Sequence, residues 1–185
     1  MRIDLTMAEL NGMIANTADI INAYIKAPSG ENIYNILGPE FKPYEGKIEI
    51  IVRALYGLKS VGEFFQSHLA KCMQFMVYKT CLDDPGMWMR PMKKLSDNFE
   101  HYEYALIYVD DVLAIGDDTT EILQNIDKYF GLNPGSISDP NIYLVANMKT
   151  MRMENRIVAW YLRPLQYIQE AVKNTDQYVK ENIGD

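Results

Sequence analysis

The stretch Tyr104–Gly116, YALIYVDDVLAIG, constrains the fold more than any other part of the chain. Two apolar runs, Ala105–Val109 and Val112–Ile115, flank the pair Asp110–Asp111. Their β-branched and aromatic residues predict strands. An acidic pair between two such runs predicts a tight hairpin, because Asp tolerates turn geometry and caps its own backbone. The hairpin sets carboxylates at the rim of an otherwise buried sheet. Taken alone, the pair reads equally well as a solvated turn, and a second carboxylate in a matching context is needed to give it chemistry.

Asp19 is that second carboxylate. It closes a short, mostly apolar stretch in NTADIINAYIKA. If the two stretches are neighbouring strands, Asp19 can face Asp110. Like charges held that close favour protonation of one another, and a divalent cation removes the conflict. Mg²⁺ takes hard oxygen ligands, normally one or two carboxylates plus substrate phosphates. Two ions about 3.5–4 Å apart activate a hydroxyl nucleophile and stabilise a departing pyrophosphate. The matching chemistry is in-line phosphoryl transfer, in which positioning and charge stabilisation dominate.

Three segments in fixed order carry a family resemblance: ADIINAYIKA (18–27), IVRALYGLKS (51–60) and YVDD (108–111). GPEF (38–41), DDPGMW (83–88) and PNIYLVANMK (140–149) add to it. Together they resemble the reverse transcriptase domain of Ty1/copia-type retrotransposons, over nearly the whole chain. The resemblance implies an RNA-directed DNA polymerase with Asp19, Asp110 and Asp111 as catalytic carboxylates and metal ligands. It implies two Mg²⁺ ions, with Mn²⁺ as a substitute, and an RNA template, a DNA primer and a deoxynucleoside triphosphate as partners. Tyr24, five residues after Asp19, matches the bulky residue under the nucleotide sugar; its other reading is a core aromatic. Arg53, Lys59, Ser60 and Tyr108 match further substrate-binding positions, Arg53 near template or nucleotide phosphate, with a plain surface arginine as the alternative. Integrase and ribonuclease H regions of a polyprotein are expected alongside. Most of an upstream fingers segment is expected to be missing.

The chain also departs from that pattern. Many members read GLKQAPRAW where this one has Ser60, Gly62, Glu63 and Phe65. Glu63 brings negative charge to the expected nucleic-acid track, and Val145-Ala146 replaces a glycine-containing pair. Net charge is −7, whereas a polymerase cleft must neutralise many phosphates. These features predict weak or absent activity in isolation. The rival expectation is a catalytically silent relic that at most binds RNA or a protein. A nucleotide cyclase is a third class, against which ALYGLK speaks, and purely structural carboxylates are a fourth.

The remaining residues set the architecture. Length suits one domain, and 48% apolar residues supply a core. Cys72 and Cys81 form no ligand spacing or disulfide framework, which suits a reducing, intracellular setting; the resemblance implies cytoplasm, in a virus-like particle, or nucleus. No apolar run approaches the ~20 residues of a membrane span. His68 and His101 have no partner at ligand spacing, so neither is assigned a metal. Helices are expected over Arg2–Leu10, Ser60–Met76, from Asp118 onward and after Pro164. Phe65, Leu69, Cys72 and Met76 share a stripe of the second; Ile122, Leu123, Ile126 and Phe130 share a face of the third. Ser60 with Glu63, and Asp118 with Glu121, read as capping pairs. Asn32–Leu37 and Ile48–Val52 read as a hairpin or two separate strands. Met87–Met89 is a strand anchored by Trp88, and Pro91–Glu100 an exposed turn. Gly131–Pro140 is a connection, and Ile142–Thr150 with Arg156–Tyr161 a hairpin joined by Glu154-Asn155. Helical periodicity after Pro164 gives way to a polar tail, Asp176–Asp185, expected to fray. The predicted class is α+β, with a small, mostly antiparallel sheet packed on two main helices. The resemblance sharpens this to a polymerase palm with partial fingers over 1–135, and a palm–thumb hairpin with an incomplete thumb over 136–185.

Overall fold

The computed structural model describes residues 2–94, 98–144, 146–154 and 158–182. The chain is α+β, and its strand pairs are antiparallel among the described residues. The main sheet holds β1 (Ile14–Asp19), β7 (Asp111–Gly116), β6 (Glu100–Tyr108), β5 (Met87–Lys93) and β4 (Lys79–Thr80), in that spatial order. A two-stranded ribbon pairs β2 (Pro28–Ile36) with β3 (Ile48–Arg53), so these segments do form a hairpin. A smaller sheet joins β10 (Val158–Arg163), β9 (Ala146–Arg152) and β8 (Ile142–Tyr143).

Alternation along the central strands explains the layering. On one face Val112 and Ala114 meet Ala105, Ile107 and Trp88. Helices α3 (Val61–Phe75) and α4 (Thr119–Phe130) cover that face with Phe65, Leu69, Met73, Ile122, Leu123, Ile126 and Phe130. Both expected helical stripes are buried there, Cys72 and Met76 included. On the other face Leu113, Ile115 and Leu106 pack with Leu5 and Ala8 of α1 (Arg2–Asn11), and with Tyr143 and Met148 of the smaller sheet. Each fully buried aliphatic or aromatic side chain contributes roughly 1.5–3 kcal/mol. A strand buried on both faces is therefore held firmly in register.

Several local expectations hold. The Asp118 carboxylate accepts hydrogen bonds from the amides of Thr120 (2.9 Å) and Glu121 (3.4 Å), capping α4. Gly57 has φ +96°, a conformation that side chains resist. Trp88 is buried between sheet and helices.

Others need correction. Ser60 stands at the N-cap of α3, but its side chain makes no capping bond, and Glu63 is exposed. The Ser60 backbone is at φ −90°, ψ 2°, away from the extended conformation that aims a capping hydroxyl at the helix amides. The segment Pro91–Glu100 is not simply a turn: β5 runs to Lys93 and β6 starts at Glu100. A partly solvated strand end needs no apolar alternation to keep its ladder, and a Lys93–Glu100 ion pair (2.9 Å) closes it. The polar tail does not fray at Asp176; α5 runs Leu165–Asn182. Good helix formers and an i,i+4 bond from Gln177 to Glu181 (2.8 Å) carry it on. Val145, Asn155 and Arg156 lie outside the described residues, and with them the Val145 substitution and the turn joining the last hairpin.

One feature of the core is invisible in the residue pattern. Glu103, 2% exposed, accepts from Nε (3.2 Å) and Nη2 (2.8 Å) of Arg90 across the β5–β6 ladder. Arg90 also reaches Glu121 of α4 at 3.3 Å and lies over the Tyr78 ring. Burial raises the Tyr78 hydroxyl pKa well above its ordinary value, so it stays neutral. Gly116 makes room for the cluster, since a Cβ there would meet Glu103 Cγ at 3.1 Å. Glu103→Ala would leave a buried guanidinium short of its main partner, and should cost about 3 kcal/mol in urea unfolding. Adding Arg90→Met should recover most of the loss.

Candidate functional site

The hairpin between β6 and β7 is tighter than its sequence suggests. Tyr108 pairs directly with Asp111, so the loop is Val109–Asp110 and Asp111 is the first residue of β7. Val109, not an aspartate, takes the positive φ, at +58°. A β-branched residue rarely adopts that region, and strain of roughly 1–3 kcal/mol of this kind gathers at functional sites. The two carboxylates are thereby separated: Asp110 sits exposed on the loop, and Asp111 is half-buried in the sheet.

Asp19 arrives on the neighbouring strand. The β1–β7 register runs from Ile14↔Gly116 to Asp19↔Asp111. Directly opposed residues share a face, so Asp19 and Asp111 lie on the side away from α3 and α4. The residue across the ladder from Asp19 is thus Asp111, and not Asp110, the expected partner. Asp110 contributes its carbonyl instead, which accepts from the Ile20 amide at 2.8 Å. Burial, then the Asp110 and Asp19 charges, push the Asp111 carboxyl above its ordinary pKa. A hydrogen bond from the Leu144 amide opposes part of that rise.

The connection after α4 supplies residues that motif spacing does not reveal. Asn133 donates from its side chain to Asp19 Oδ2, and from its amide to the Asp19 carbonyl (2.8 Å). The Asp19 amide donates to Ser136 Oγ at 3.2 Å. Bridges Thr17↔Ser138 and Ile20↔Leu132 lay this connection along the free edge of β1. The density of Asn and Ser in Gly131–Pro140 is the available signal, and by itself it spells only loop chemistry.

Two openings flank Asp111. A cleft of about 590 Å³ is lined by Tyr24, Tyr108, Val109, Asp110, Asp111 and Leu144. A smaller one of about 250 Å³ is lined by Thr17, Asp19, Asp111, Ser136, Ser138 and others. Tyr24 lies on the one-turn helix α2 (Ala23–Lys26), edge-to-face with Tyr56 (4.8 Å) and Phe65 (5.8 Å). It belongs to the aromatic packing and also forms a wall of the cleft. Tyr108 is exposed at the cleft mouth. Arg53, Lys59 and Ser60 do not line it. Arg53 instead donates from Nη1 to the Lys26 carbonyl at 3.1 Å, on another side of α2.

The donor chemistry suits a hard cation. The neighbouring charges that help raise the Asp111 pKa would also attract a cation, and Mg²⁺ needs only one or two carboxylates plus phosphate oxygens. Among the described residues there is no cluster of three or more His, Cys, Asp or Glu side chains arranged to hold a metal ion. A ready-made cage of Asp19, Asp110 and Asp111 does not form. No protein-family model, curated protein or solved structure matches the chain. No helix among the described residues is long and apolar enough to cross a membrane.

The raised Asp111 pKa has a definite sign for stability. Between its unfolded value, about 4, and its higher folded value, the native state binds more protons than the unfolded state. Stability from this group is thus greatest below about pH 4 and falls as pH rises through the folded pKa. Asp111→Asn should melt higher than wild type at pH 7, and the gap should narrow as pH approaches 4. Thermal melts of both proteins across that range read this directly.

Proposed function

We propose that the chain is the palm portion of an RNA-directed DNA polymerase of the Ty1/copia type. The observation that carries this reading is the Asp19↔Asp111 register. It draws carboxylates from two distant segments onto adjacent strands, on the sheet face opposite the two covering helices, beside a cleft walled by Tyr24 and Tyr108. Sheet β1-β7-β6 with α3 and α4 would be the palm, the β2–β3 ribbon a partial fingers element, and β8–β10 with α5 the beginning of the thumb. Asp19, Asp110 and Asp111 are the residues to hold Mg²⁺. When bound, the metal would lower the pKa of a primer 3′-hydroxyl and neutralise charge on the leaving pyrophosphate. In this reading Tyr24 would lie under the nucleotide sugar, and Tyr108, exposed at the cleft mouth, would contact substrate.

A second reading is favoured by specific observations. The Asn133 side chain donates to the Asp19 carboxylate, no three-carboxylate cluster forms among the described residues, and Glu63 is exposed on α3. A silent relic of the same enzyme would look like this. The two are compatible with one expectation: weak activity in isolation.

Primer extension with purified chain, Mg²⁺ and an RNA template separates them. Low template-dependent incorporation is expected, and Asp110→Asn should reduce it by roughly 10²–10³, the usual loss when a group that stabilises developing charge is removed. Absence of both incorporation and Mg²⁺-dependent triphosphate binding would leave the relic.

A further inference from the structure

On the other side of α2 lies a pocket of the opposite character. About 430 Å³ in volume, it is lined by Asn22, Ile25, Lys26, Arg53, His68 and Tyr129. Every one of these except Ile25 carries a side-chain hydrogen-bond donor, and no carboxylate is among them. In a chain with 25 acidic residues and 18 Lys and Arg, Lys26 and Arg53 gathered with His68 and without an acid run against composition. It shares no lining residue with the carboxylate cleft.

The positive groups are held together and left uncompensated. The Arg53 bond to the Lys26 carbonyl anchors the guanidinium to the end of α2, with further N–H groups unspent. Among the described residues neither Lys26 nor Arg53 makes an ion pair. Asp127, the acid of α4 nearest the pocket in sequence, accepts from the Leu132 amide at 2.6 Å. Lys26 Nζ sits 3.4 Å from where a Cβ on Gly131 would lie, beside the carbonyl end of α4, a setting that favours one cation but does not balance both Lys26 and Arg53. His68 stacks edge-to-face on Phe130, and its pKa is lowered by burial, then by Arg53 and Lys71. Mutual repulsion of this kind is relieved by a bound oxyanion, and planar guanidinium with a point-charge ammonium is a pairing suited to phosphate.

We infer that Lys26, Arg53 and His68, with Asn22 and Tyr129, form a phosphate-binding pocket separate from the carboxylate cleft. The shared chemistry is a phosphate oxyanion, from either a free phosphate or a nucleic-acid backbone. This does not depend on polymerase activity, and the test keeps the two apart by omitting divalent metal. In EDTA, isothermal titration would be run with inorganic phosphate, and separately with a short single-stranded RNA lacking terminal phosphates. Wild type should bind at least one. Lys26→Gln and Arg53→Gln should each weaken binding about tenfold, the scale of a lost charge-assisted hydrogen bond. Lys149→Gln, on exposed β9, should leave it unchanged. The Lys26 substitution keeps the Arg53 bond to the backbone, so it reads the pocket even if Arg53→Gln unfolds the ribbon. Tighter binding of the RNA would assign the pocket to a nucleic-acid backbone, and binding of inorganic phosphate alone would assign it to a free phosphate. No binding of either probe, or an equal loss in Lys149→Gln, would overturn the inference.

Discussion

The antiparallel pairing of β1 with β7 is the constraint on which the rest of the molecule depends. It opposes Asp19 to Asp111, an arrangement that two free strands would avoid, since like charges directly across a ladder destabilise it. The pairing persists because β7 is buried on both faces. Val112 and Ala114 are locked under α3 and α4, Leu113 and Ile115 under α1 and the smaller sheet. A slip of one residue would exchange those faces and misplace every apolar side chain. Burial of several such groups outweighs the repulsion of one carboxylate pair. The core thus holds the acids together at the rim, where burial first, and then the Asp110 and Asp19 charges, raise the pKa of Asp111.

Charge is then sorted around a single helical turn. Tyr24 of α2 faces the acidic cleft, while Asn22, Ile25 and Lys26 line the basic pocket. Four residues are enough to divide the two because α2 is pinned from both sides: Tyr24 in an aromatic cluster with Tyr56 and Phe65, and Lys26 through its carbonyl to Arg53. The strand edge is closed by a polar connection. Asn133 and Ser136 satisfy Asp19, and Ser138 pairs with Thr17. Edge strands invite unwanted pairing unless covered, and this loop covers β1 while ordering its carboxylate.

Elements with strong period are legible from the order of residues alone. The α3 and α4 stripes, the Asp118 cap, the Trp88 strand and the paired strands around the aspartates all follow from residue pattern, because each is decided within a few residues of itself. Misreadings arise where local signals are overruled or absent. Ser60 has the spelling of a cap, but its backbone conformation turns the hydroxyl away from that role. Arg90 and Glu103 look like ordinary strand charges, and only their opposition across β5 and β6 makes them a buried pair. The Asn/Ser connection looks like linker because its hydrogen-bond partners lie more than a hundred residues away.

Sequence by itself determined that Asp110 and Asp111 close a strand pair, that Asp19 ends another, and that apolar faces exist to bury both. Those are properties of period and composition, carried by each segment alone. Tertiary structure decided that Asp111 rather than Asp110 opposes Asp19, that Val109 takes the strained turn position, and that Arg53 gathers with Lys26 and His68 away from the acids. Register and proximity are relations between segments, set by which faces the whole core can bury at once, and no single stretch of chain contains them.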